Sequence, residues 1–180
     1  MGNRLVALLR GINVGRAKRV GMADLRDLLG RLGYTDVATH LQSGNAIFTS
    51  SSAATAAVAE RIEAAVAADL GVRCSVIVRT AAELDAVVAG NPMLDVVTDP
   101  TRHLVGFLSE APPPAAVRSV TGRVAAPDVV RIRGREIYLW CPAGILNSAF
   151  ARVKWDRELG TPVTMRNWAT VTRLAAMAGG

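Results

Sequence analysis

Aromatic side chains make up only 4% of this 180-residue chain. That scarcity argues against roles that need rings displayed in rows, such as the base-stacking sheets of RNA-recognition modules. Cysteine is also scarce. Cys74 and Cys141 have neither the spacing of a zinc site nor that of a redox pair, and they read as buried, reduced thiols. His40 and His103 stand apart from any cysteine or carboxylate at ligand spacing, so no metal site is expected. Long apolar runs are missing as well. Arg10, Glu60 and Glu63 interrupt the apolar stretches well short of the ~18 residues a membrane span needs. The N-terminal run Leu5 to Leu9 is too short for a signal peptide. The expected location is the cytoplasm, with no membrane partner.

Lysine is the last shortage, with Lys18 and Lys154 set against 19 arginines. A compact ammonium is not equivalent to a guanidinium fork, which singles these two lysines out. The net charge is +6, and Arg4, Arg10, Arg16, Lys18 and Arg19 fall within the first twenty positions without one acid. Such a cluster points to an anionic partner.

What the chain has in abundance is core material, since 51% of it is hydrophobic. Leu5 to Leu9 is apolar on both alternating faces, the pattern of a strand covered on both sides. Its second face then needs a cover, either the second half of the chain or a partner chain. Met22, Leu25, Leu28, Leu29 and Leu32 recur at helical spacing and end at Gly33. Two strand-like runs, Val37 to Leu41 and Ala46 to Thr49, flank Ser43-Gly44 as a hairpin would. An alanine-rich helix striped by Val58, Ile62, Val66 and Leu70 stops at Gly71. Val72 to Arg79 alternates, which predicts one face toward solvent.

Thr80 and Glu83 then form a capping box for a short helix that closes at Gly90-Asn91-Pro92. The order so far is βαββαβ, and it begins again beyond a linker. Strand Leu104 to Leu108 leads to a helix introduced by Pro112-Pro113-Pro114, and to a hairpin of Val129 to Arg133 and Glu136 to Trp140. Helical material follows from about Leu146 to Leu159, and a last helix from Trp168, capped by Asn167. The expected fold class is α+β, two tandem ferredoxin-like subdomains with antiparallel sheets, by structural duplication. The expected boundaries are residues 1–90, a linker over 91–101, and residues 102–180.

Two punctuated stretches carry the candidate chemistry. One is Leu8-Leu9-Arg10-Gly11-Ile12-Asn13-Val14-Gly15, a strand running out into a loop. The other is Gln42-Ser43-Gly44-Asn45, the hairpin turn. In a βαββαβ sheet the first and second strands run the same way with the third between them, so the end of the first lies beside this turn. Arg10, Gly11 and Asn13 should therefore meet Gln42, Ser43, Gly44 and Asn45 at one rim. Glycines allow close backbone approach, the amides and hydroxyl supply donors and acceptors, and Arg10 supplies a forked cation. That inventory suits a small anionic ligand, a nucleotide or another phosphate compound, with Lys18 close by in sequence. The competing reading is a cluster of turn residues that only locks the loop. A helix starting near Asn167 would aim backbone N–H groups at an anion, so Arg166 and Asn167 are expected to join the same site.

These two stretches, together with Met22-Ala23-Asp24-Leu25 and Thr164-Met165-Arg166-Asn167-Trp168-Ala169-Thr170-Val171, resemble the signature blocks of the bacterial "domain of unknown function 1697" family. The resemblance implies two ferredoxin-like α/β subdomains and carries no assigned activity. Family members usually have a glycine where this chain has Arg16, and an aromatic at the position of His40.

Familiar catalytic motifs do not fit. Gly15 is not followed directly by Lys and Ser or Thr, which excludes a P-loop, and Gly11 with Gly15 does not match the dinucleotide fingerprint. Ser43 lacks the Gly-x-Ser-x-Gly setting of a nucleophile elbow. Neither a reaction nor a cofactor is indicated. Two alternatives stand beside the anion-binding reading: a nucleic-acid-binding module that uses the charge of the basic rim, since aromatic scarcity disfavours recognition on the sheet face, and a protein–protein interaction module.

Overall fold

The computed structural model describes residues 2–13 and 19–179. The chain divides into two compact units, one of Met1–Ala86 with Arg173–Gly180, the other of Val87–Thr172. Among the described residues there are two four-stranded sheets and six α-helices.

The first unit runs β1 (Asn3–Arg10), α1 (Met22–Arg31), β2 (Thr35–His40), β3 (Asn45–Ser50), α2 (Thr55–Leu70) and β4 (Ser75–Thr80), followed by the start of α3 (Ala81–Ala89). Its sheet has the order β2-β3-β1-β4, with every neighbouring pair antiparallel. Leu5, Ala7 and Leu9 of β1 join Phe48, Val76 and Val78 in one core with Leu25, Leu28 and Leu29 of α1 and Val58, Ile62 and Val66 of α2. Both helices stop where glycine takes over in the left-handed region, at Gly33 and Gly71. The capping box forms as expected: Glu83 N donates to Thr80 Oγ1 at 3.1 Å, and Thr80 N donates to Glu83 Oε2 at 2.8 Å.

The opposite face of the sheet is also out of solvent, since Val6, Leu8, Ile47 and Ile77 are all buried. This corrects the expectation that one face of the fourth strand meets water. Alternation there separates two buried faces, and the charged residue on the second of them, Arg79, is only 1% exposed.

The second unit repeats the order with β5 (His103–Leu108), α4 (Pro114–Thr121), β6 (Val129–Arg133), β7 (Glu136–Trp140), α5 (Trp155–Leu159) and β8 (Val163–Asn167), leading into α6 (Trp168–Gly179). Its sheet order is β6-β7-β5-β8, again antiparallel throughout. Leu108, Ile137, Leu139, Phe150, Leu159 and Val163 build its core. Cys141 is buried there, and burial pushes its thiol up to about 11. The stretch 91–101 is tied into this unit: Met93 is buried, and Arg131 holds Asp95 at 2.6 Å and the Pro92 carbonyl. No helix among the described residues is long and apolar enough to cross a membrane.

Candidate functional site

At the rim of the first sheet, β1 ends at Arg10, which is exposed and lies opposite Ser75 of β4. The chain then turns through Gly11 (φ 80°) and Asn13 (φ 55°). Across β2 and β3 the other motif begins where His40 pairs with Asn45, and residues 41 to 44 make the turn. The strand order does bring the two motifs together. Asn13 Nδ2 donates to the Gln42 carbonyl at 2.7 Å, and Leu9 N donates to the Gly44 carbonyl at 2.8 Å.

Asn13 also works within its own loop. Its Nδ2 donates to the Val20 carbonyl at 3.0 Å, while its Oδ1 accepts from Val20 N at 2.9 Å. The side chain thus pins both ends of the loop and, through Gln42, the neighbouring turn. Asn tolerates the left-handed backbone that this geometry requires. Asn45 is fully buried and spans the turn, donating to the His40 carbonyl at 2.7 Å and to Ser43 Oγ at 3.0 Å. Gly44 is required sterically as well as conformationally. At φ 83° a Cβ would come 2.7 Å from Ile12 Cδ1 and 2.9 Å from Leu9 Cβ.

The two amides and Gly44 therefore build the frame, while Arg10, Gln42 and Ser43 are exposed upon it. Two further exposed cations, Arg19 and Arg73, sit on the segments that enter and flank the rim. In the sequence Arg73 carries no signal of its own, being one position of the alternating run Val72 to Arg79. Leu41 is the least expected member of the turn, being 56% exposed with φ 60°. Left-handed backbone at a leucine costs roughly 1–2 kcal/mol, and its exposure returns nothing to the core. Lys18, the remaining cation expected here, lies outside the described residues.

Arg166 and Asn167 belong to the second unit. Arg166 is 8% exposed on β8 and donates to Thr164 Oγ1 and to the Met165 carbonyl, each at 2.8 Å. Burial lowers its guanidinium pKa to about 10. Asn167 caps α6 as expected, accepting from Thr170 N at 2.8 Å. The strand that carries both residues has no signature in the sequence, because Thr-Met-Arg-Asn lacks an apolar alternation. Among the described residues, no group of three or more His, Cys, Asp or Glu side chains could hold a metal ion.

A sheet of four antiparallel strands found twice in the same order, with a polar loop joined to a hairpin turn at the rim of the first, defines a mixed α/β protein of two units. The chain belongs to the family described as "Protein of unknown function (DUF1697)", whose model matches residues 2–138. The block Thr164 to Val171 lies beyond the matched residues. Among solved structures the chain is similar to the conserved bacterial protein SP0830 from Streptococcus pneumoniae, with 24% identity, 99% of each chain covered and a TM-score of 0.79. That likeness is one of fold. No curated protein matches the chain.

Proposed function

We propose that the protein is a cytoplasmic binder of a small anionic ligand, a nucleotide or another phosphate compound, held at the rim where the Arg10–Asn13 loop meets the Gln42–Asn45 turn. The observation that carries this reading is the 2.7 Å hydrogen bond from Asn13 to the Gln42 carbonyl, which fixes two motifs distant in sequence into one frame. Arg10, Gln42 and Ser43 are the contact groups in this reading. Asn13, Asn45 and the glycines Gly11 and Gly44 hold the backbone in place for them. The left-handed, exposed Leu41 supports it, because local strain of this kind collects at ligand-binding loops. The order β2-β3-β1-β4 and its recurrence as β6-β7-β5-β8 support the description of both units as ferredoxin-like.

A thermal-shift series with inorganic phosphate, pyrophosphate and nucleoside triphosphates tests the reading. A ligand at ~100 times its dissociation constant stabilises by ~2.7 kcal/mol. Arg10→Ala should remove that gain without unfolding the protein. No shift with any phosphate compound would overturn the proposal. A gain from oligonucleotides alone, steeply reduced by salt, would replace it with nucleic-acid binding.

A further inference from the structure

The second unit contains a groove beside the turn at Gly134. Its cavity volume is about 370 Å³, with Pro112, Pro114, Val117 and Ile132 among its walls and Arg118 at its edge. The groove occupies the counterpart of the rim described above. Leu108 N donates to the Arg135 carbonyl at 2.9 Å, repeating the bond from Leu9 N to the Gly44 carbonyl at 2.8 Å. Three residues beyond Leu9 comes Ile12, which is buried and packs against Gly44. Three residues beyond Leu108 comes Ala111, which is exposed and lines the groove. Ile12 fills the space beside its own turn, whereas the shorter Ala111 side chain borders an open groove.

We propose that this groove is a separate binding site for a small monocarboxylate with an apolar body. Its volume lies at the lower end of small-molecule sites, which run from about 300 to 1,000 Å³. Two of its walls are prolines, which offer no N–H donor and are conformationally fixed, so the apolar surface is preformed. Arg118 is exposed, and its guanidinium makes no hydrogen bond or ion pair among the described residues. One guanidinium matches one carboxylate through two parallel hydrogen bonds. A polyphosphate would need more donors than proline, valine and isoleucine walls provide. This proposal is independent of the phosphate site on the first unit.

The test is a titration of the full chain with hexanoate, followed through the backbone amide resonances of Val117, Ile132 and Gly134. Saturable shifts confined to this group are expected, with affinity lower by at least about tenfold for the neutral hexanamide and for Arg118→Ala, as the loss of a charge-assisted hydrogen bond requires. Ala111→Leu should abolish binding by filling the groove, while leaving any phosphate-dependent thermal shift of the first unit intact. Absence of saturable shifts at these amides would overturn the proposal. So would equal binding of hexanoate and hexanamide, or unchanged hexanoate binding in both variants.

Discussion

Arg79 and Arg166 occupy the same position in their respective sheets. Arg79 lies opposite Val6 across β1 and β4, and Arg166 lies opposite Val105 across β5 and β8. Each is buried, and each precedes a residue that caps the next helix, Thr80 for α3 and Asn167 for α6. A long cation at matching buried positions is a structural element of each unit. Arg166→Ala should lower stability by about 3 kcal/mol, from lost packing and from the hydrogen bonds to Thr164 and Met165. Arg166→Lys should recover only part of this, because an ammonium cannot reproduce the guanidinium fork. Urea denaturation of the two variants measures both effects.

Gly44→Ala combines two penalties: a left-handed backbone that alanine disfavours, and a Cβ driven into Ile12 and Leu9. Together these should lower the unfolding free energy by about 2–4 kcal/mol. A shift of the denaturant midpoint with an unchanged slope would establish the loss.

Asn13→Ala removes the hydrogen bonds to Val20 and Gln42. The expected destabilisation is about 1–3 kcal/mol, the range for losing such bonds at a partly buried site. Amide hydrogen exchange at Val20, whose N–H bonds to Asn13 Oδ1, should accelerate well beyond the change in global stability.

His103 makes stability depend on pH. It is fully buried, its Nδ1 lies 2.9 Å from the Leu139 carbonyl and must donate to it, and Nε2 has no partner among the described residues. Burial holds its pKa below the ordinary value of about 6.5. The unfolded chain therefore takes up a proton before the folded one does. The contribution of His103 to stability is complete above pH ~6.5 and is lost as pH falls through that value toward the folded pKa. His103→Gln should flatten the acid side of a stability-versus-pH curve.

Thr80→Ala breaks the capping box at the start of α3 and should cost about 0.5–2 kcal/mol. A Glu83→Ala variant loses the return bond to Thr80 N. The double variant should therefore cost less than the sum of the two, which a double-mutant cycle reads directly.

Periodicity and chain order made much of this molecule legible. The leucine spacing of α1, the stops at Gly33 and Gly71, and the meeting of Arg10–Asn13 with Gln42–Asn45 all follow from local pattern plus strand order. β8 escaped because Thr164, Arg166 and Asn167 read as polar loop residues, whereas Thr164 and Arg166 are buried by tertiary packing. The same packing hides Arg79, since no local pattern distinguishes a solvated arginine from a buried one. The division of roles within the rim was equally invisible. Asn13 and Gln42 look alike as amides in a sequence, yet the first is spent on the backbone of its own loop and the second is exposed.

The membership of Arg173–Gly180 in the first unit sets a timing constraint on synthesis. A nascent chain that has reached Ala86 has made all four strands of its first sheet but not the end of α6, where Leu174, Ala175 and Ala178 become buried. At roughly 5–20 residues per second, about 5–18 s separate the two events. During that interval the first unit has its sheet but lacks the helical residues that join it, so its folding waits on residues almost ninety positions further along.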